Sequence, residues 1–135
     1  MRSDDALRAG TRLTRILVAD DDVASVELLR ALLEADGYEV AAAMDGNRAV
    51  EMGMSGDYEV AVIDVHMPMY DGIEVLQMLR RRHVLHPIKI IAVTADPTDS
   101  LRADLEEAGV DGYMIKPVDL QLLLEKVRAL AGSGT

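Results

Sequence analysis

Ile16-Leu17-Val18-Ala19-Asp20-Asp21-Asp22 sets a short apolar run directly against three consecutive carboxylates. The run is too short for a helix, and it is apolar without alternation. That is how a parallel strand covered on both faces reads. Outward from it, further short apolar runs lie at Tyr38–Ala43, Val60–Ile63, Ile88–Val93 and Tyr113–Ile115. The segments between them have helical spacing. Val26, Leu29 and Leu33 share one face, widened by Leu28 and Leu32, and Gly37 supplies a stop. Ile73, Leu76 and Leu79 repeat the pattern, as do Leu101, Leu105 and Ala108 before Gly109. Leu120, Leu123, Leu124 and Val127 make the last helix. The second helix, from about Arg48 to Ser55, is the weakest, because Gly53 and Gly56 lower its propensity. Five strand–helix units predict an α/β fold, (βα)5, with one doubly wound parallel sheet and helices on both faces.

The 135 residues are 50% hydrophobic and 28% charged, the composition of one globular domain. Residues 1–13 read as a flexible N-terminal arm, 14–131 as the domain and 132–135 as a flexible tail. With no Cys, disulfides, zinc-thiolate sites and cysteine nucleophiles are excluded. No apolar run approaches the roughly 20 residues of a membrane span, and the N-terminus lacks a signal peptide's apolar stretch. These features point to a cytoplasmic protein with no membrane partner. Lys and Arg total 14 against 24 Asp and Glu, a formal charge of -10 that repels nucleic-acid phosphates. Arg80-Arg81-Arg82, the only basic run, reads as a solvated helix face, so no direct nucleic-acid contact is expected. The eight Met read as core filler in a chain without Phe or Trp.

The informative residues are the polar ones that end the apolar runs: Asp20-Asp21-Asp22, Asp64, Thr94 and Lys116-Pro117. Ligands of open α/β sheets bind outside the carboxyl ends of the strands. Asp20, Asp21 and Asp64 crowded there would oppose folding unless a cation or proton intervenes, and Lys116 compensates only one. A hard divalent ion with oxygen ligands is the natural remainder, and Mg²⁺ suits a few carboxylates plus a phosphoryl group. Thr94 offers a hydroxyl and Lys116 a point charge to phosphoryl oxygens. These parts support transfer of a phosphoryl group to a carboxylate, with Asp64 as nucleophile. Asp22 reads as the N-cap of a helix starting at Val23, and Asp71-Gly72 as a cap and tight turn opening the third helix. His83 and His86 read as exposed residues around that helix's end.

The blocks from Ile16 to Asp22, Val62-Ile63-Asp64-Val65-His66-Met67-Pro68, Asp71-Gly72, Ala92-Val93-Thr94-Ala95 and Gly112-Tyr113-Met114-Ile115-Lys116-Pro117 resemble the receiver domain of bacterial response regulators. The resemblance covers about residues 14–131 and implies the flavodoxin-like strand order 2-1-3-4-5. It implies that Asp64 accepts phosphate from a histidine kinase or histidine phosphotransfer protein. Asp21 would be the direct Mg²⁺ ligand, Asp20 a ligand largely through water, and the His66 backbone carbonyl a third. It also implies that Thr94 swings toward the phosphoryl group, that Tyr113 reports the swing, and that Lys116-Pro117 is cis. His66 and Asp96 fall where the family modulates the phosphoryl lifetime.

Nothing after the last helix reads as an output domain, so the signal is expected to leave through another protein, or the chain is a piece of a longer one. The resemblance implies that a downstream protein reads the surface of the fourth helix, fifth strand and fifth helix. The resemblance thus implies a signalling switch that phosphorylates and dephosphorylates itself, not a turnover enzyme. Two departures stand out: Tyr70 where Met is usual, and Val118 where Phe usually follows Lys-Pro. They bear on packing and dynamics more than on phosphorylation. A phosphatase of the haloacid-dehalogenase type would need Thr or Val where Ala24 stands, and a cap domain. A degenerate scaffold receiver would usually have lost an acidic or Lys position, and all are kept.

Overall fold

The computed structural model describes residues 13–67, 72–81 and 87–131, with the side chain of Ser55 excepted. Residues 1–12 of the expected arm at 1–13, Tyr70, Asp71, Arg82, His83, His86 and the expected tail at 132–135 lie outside the described residues. Strands β1 (Arg15–Ala19), β2 (Glu39–Ala43), β3 (Val60–Asp64), β4 (Lys89–Thr94) and β5 (Gly112–Ile115) alternate with helices α1 (Val23–Ala35), α2 (Gly46–Ser55), α3 (Gly72–Arg80), α4 (Asp99–Ala108) and α5 (Leu120–Leu130). All pairings are parallel, in the order β2-β1-β3-β4-β5. Tyr38 and Ile88 fall just before their strands, not within them; both still pack into the core.

Alternation along the strands divides the core in two. Ile16, Val18, Val60, Val62, Ile91, Val93 and Met114 pack with α1 and α5 residues such as Leu33, Leu123 and Val127. Leu17, Ala19, Ala61, Ile63 and Ile90 pack on the other face with Ala49 of α2 and Leu76 and Leu79 of α3. Leu105 of α4 joins that second side through Ala92. Helices therefore cover both faces, as the unbroken apolar runs required.

Carboxylates and a hydroxyl cap four of the five helix starts. Asp22 accepts the Ser25 N–H, Asp45 the Arg48 N–H, Thr98 the Leu101 N–H and Asp119 the Leu122 N–H. The Asp45 cap starts α2 at Gly46, two residues before Arg48. Gly53 is buried in α2 because Leu79 of α3 lies where its Cβ would stand, 2.4 Å away. Gly109 ends α4 at φ 90°, in the left-handed region that favours glycine.

Three sequence expectations change. Leu28 is 53% exposed and leaves the buried face of α1 to Val26, Leu29 and Leu33. Met67 and Met114 are core residues, but Met44 and Met54 are exposed. Arg80 is no solvated face residue. It donates to the Gly109 carbonyl and pairs with Asp111 at 2.7 Å, while Asp111 also accepts the Ile90 N–H at 2.8 Å. This ties the end of α3 to the α4–β5 corner.

Arg128 of α5 grips Asp36, the residue that ends α1, through two hydrogen bonds of 2.9 and 2.7 Å. The guanidinium holds the Asp36 carboxyl below its ordinary range, against the opposing effect of burial. A depressed carboxylate stabilises the fold above its unfolded pKa, about 3.9, and the contribution fades as acid titrates it in the folded state. Asp36→Asn should therefore lower the urea midpoint at neutral pH, with the gap from wild type closing below about pH 4. A pH-independent gap would refute the assignment.

Candidate functional site

The sheet register delivers the polar residues to one edge. Ala19 pairs with Ile63, so Asp20 and Asp64 occupy the next row of β1 and β3; Asp64 pairs with Val93 and Thr94 with Ile115. Asp20, Asp64 and Lys116 continue the alternating rows that face α1 and α5, whereas Thr94 continues the row of Ala92 on the other side. Asp20 and Asp64 are 4% and 5% exposed, and Thr94 is fully buried. Lys116 Nζ lies 3.2 Å from Asp64 Oδ2 and 3.5 Å from Asp20 Oδ2. Asp21 is exposed, yet one oxygen from each of Asp20, Asp21 and Asp64 lies within 4.8 Å of the others.

A repeated local device holds these groups. Asp20 Oδ1 accepts the Asp22 N–H at 2.9 Å, Asp64 Oδ1 the His66 N–H at 3.0 Å and Thr94 Oγ1 the Asp96 N–H at 3.0 Å. Each strand-end oxygen thus anchors the backbone two residues on, the turn that short Asp and Thr side chains favour. Asp96 in turn accepts the Thr98 N–H, which lowers its pKa. The Lys116-Pro117 peptide is cis. Tyr113 is half-buried against Val65, Ala92 and Leu105, with the Arg102 guanidinium 6.0 Å from its ring centroid. The His66 side chain is exposed at the rim.

Burial pushes the Asp20 carboxyl up, and the Asp64 charge adds to it, against the Asp22 N–H and the Lys116 ammonium. Burial also disfavours the Lys116 charge, but its hydrogen bond to Asp64 and the charges of Asp64 and Asp20 outweigh this and raise it. A carboxyl with a raised folded pKa costs stability above that pKa, and the cost is relieved as pH falls toward the unfolded value of about 3.9. In chelator-containing buffer at neutral pH, Asp20→Asn should accordingly raise Tm by about 3–6 °C. A variant melting below wild type would show that the carboxylate is net stabilising. The donor set is all oxygen and carries more negative charge than one ammonium offsets, which fits a hard divalent cation.

Residues 16–128 match the sequence model of the response regulator receiver domain. The chain belongs to that family. The response regulator MprA of Mycobacterium ulcerans is 43% identical over 116 residues, 86% of this chain and 49% of its own length. The chain thus spans about half the length of the curated relatives it matches. A CheY-like receiver domain from Methanospirillum hungatei superposes with a TM-score of 0.81 at 32% identity, covering 90% of this chain and 96% of that one. The response regulator TrrA of Thermotoga maritima, solved in complex with Mg²⁺-BeF, gives 0.77 at 36% identity, covering 87% and 99%. Receiver domains are signalling modules of the phosphorylation type. Among the described residues of this one, no helix is long and apolar enough to cross a membrane.

Proposed function

We propose that this receiver domain, built by residues 14–131, is a phosphorylation-activated switch with Asp64 as phosphoacceptor. An Asp64 carboxylate oxygen attacks the phosphorus of a phosphohistidine on a kinase or phosphotransfer protein, and the phosphorus–nitrogen bond to the donor imidazole breaks. Lys116 places its ammonium against a phosphoryl oxygen. Thr94 turns its hydroxyl from the Asp96 amide to donate to another. Asp21, Asp20, Asp64 and the His66 backbone carbonyl would hold Mg²⁺, which when bound neutralises charge on the transferring oxygens. His66 and Asp96, at the rim, set how readily water reaches the acyl phosphate.

The new phosphoryl group adds about two negative charges. It draws Thr94 and then Tyr113 inward, and a downstream protein reads the changed surface of α4, β5 and α5. The observation that carries this reading is the convergence of Asp20, Asp64 and Lys116 within hydrogen-bond reach at the carboxyl end of the sheet. Incubation with a small-molecule phosphodonor and Mg²⁺ should add one phosphoryl mass to the wild-type chain and none to Asp64→Ala. Equal uptake by both would defeat the assignment, and no uptake by either would favour a scaffold.

A further inference from the structure

We propose that the crevice beside Asp64 also binds a small aromatic amine, whose occupancy competes with Mg²⁺ and keeps the domain unphosphorylated. The crevice has a volume of about 230 Å³ and is lined by Leu28, Leu29, Val62, Val93, Val118 and Leu120. Its polar end is Asp20, Asp64 and Lys116. This follows from the strand alternation, because the three polar residues continue the rows that face α1 and α5. They therefore share one space with that face's apolar residues.

Two properties of the space choose the ligand. A cavity of about 150 Å³ with apolar walls holds benzene, so 230 Å³ has room for a bicyclic ring. Leu28 stands 53% exposed and lines the crevice, so a ring seated there removes apolar surface from water. At the polar end two carboxylates face one ammonium, with Asp21 alongside as a third acid. A cationic head is complementary to that charge and an anionic one is repelled. Because the head uses the carboxylates that would hold Mg²⁺, the two ligands weaken each other by the same factor. The regulatory half of the proposal rests on Asp64 being the phosphoacceptor; the binding half does not.

Tryptamine is the probe, followed by methyl resonances of the intact chain without any phosphodonor. It should shift the Leu28, Leu29, Val62 and Val118 methyls saturably, while indole-3-propionate, with the same ring and the opposite charge, should not. Mg²⁺ at about ten times its own dissociation constant should raise the apparent tryptamine Kd about tenfold. Val118→Phe, which fills the crevice, should raise it by about tenfold or more. Equal shifts from both indoles, shifts outside the crevice, or a Kd indifferent to Mg²⁺ would overturn the site, and these readings stand even where Val118→Phe fails to fold. Phosphoryl uptake is then measured with and without saturating tryptamine. Suppressed uptake supports the regulatory half. Unchanged uptake overturns it and leaves Asp64 as acceptor. No uptake even without the amine removes that half together with the acceptor reading, with binding decided by the shifts alone.

Discussion

Lys116→Met is expected to slow phosphoryl uptake from a small-molecule donor by about 10²-fold or more, the loss typical of removing one preorganised charge from a transferring group. The ammonium already stands 3.2 Å from Asp64 Oδ2, so it meets the developing phosphoryl charge without reorganising. Arg is a poor substitute, since a planar fork cannot occupy the place of a compact point charge between two carboxylates. The same change should also lower stability at neutral pH, because Asp20, Asp21 and Asp64 are left facing one another with no cation. The two effects separate in a double variant. Adding Asp64→Asn to Lys116→Met should recover much of the lost Tm, as one carboxylate charge is gone, yet lower the already slowed uptake to none. Uptake within about threefold of wild type in the single variant would mean Lys116 is a structural counter-ion only.

The parts of this site that were legible in sequence were those written into single positions. Four of the five strands end where an apolar run meets an oxygen or ammonium group, so Asp20, Asp64, Thr94 and Lys116 stand out before any coordinates. Asp22 declares itself as a cap by preceding an apolar-periodic segment. What stayed hidden depends on pairs distant in the chain. Gly53 looks like a helix weakness until Leu79 is seen filling the space of its absent Cβ. Arg80 looks like one more solvated cation until the α4–β5 corner supplies Asp111 and the Gly109 carbonyl. Leu28 has the spacing of a core residue, and only the packing of α1 beside the segment after β5 leaves it at an open crevice. The Asp45 cap was within reach, because an Asp three residues before Arg48 is a readable start signal.

Gly72→Ala is expected to cost about 3 kcal/mol of stability and to impair phosphoryl uptake with it. On propensity alone the change should help, since alanine favours a helix over glycine by about 1 kcal/mol. Packing decides the opposite. An added Cβ would lie 2.4 Å from Val65 Cα, 3.0 Å from the Asp64 carbonyl oxygen and 3.1 Å from the Val65 carbonyl carbon. All three are backbone atoms, and none can rotate away. The Gly72 N–H also donates to the Val65 carbonyl at 2.6 Å, and the Val65 N–H to Val93 at 2.9 Å, so the start of α3 is laced to the end of β3 and through it to β4. Relief must come from moving α3 outward or from shifting the chain that presents Asp64 and His66, and either change disturbs the proposed acceptor. Gly53→Ala is the control: its Cβ also meets an atom at 2.4 Å, but that atom is the end of the Leu79 side chain, which can turn. Its loss should be clearly smaller, with uptake preserved. Equal urea midpoints for Gly72→Ala and wild type would show that the β3–α3 junction is more yielding than its contacts allow.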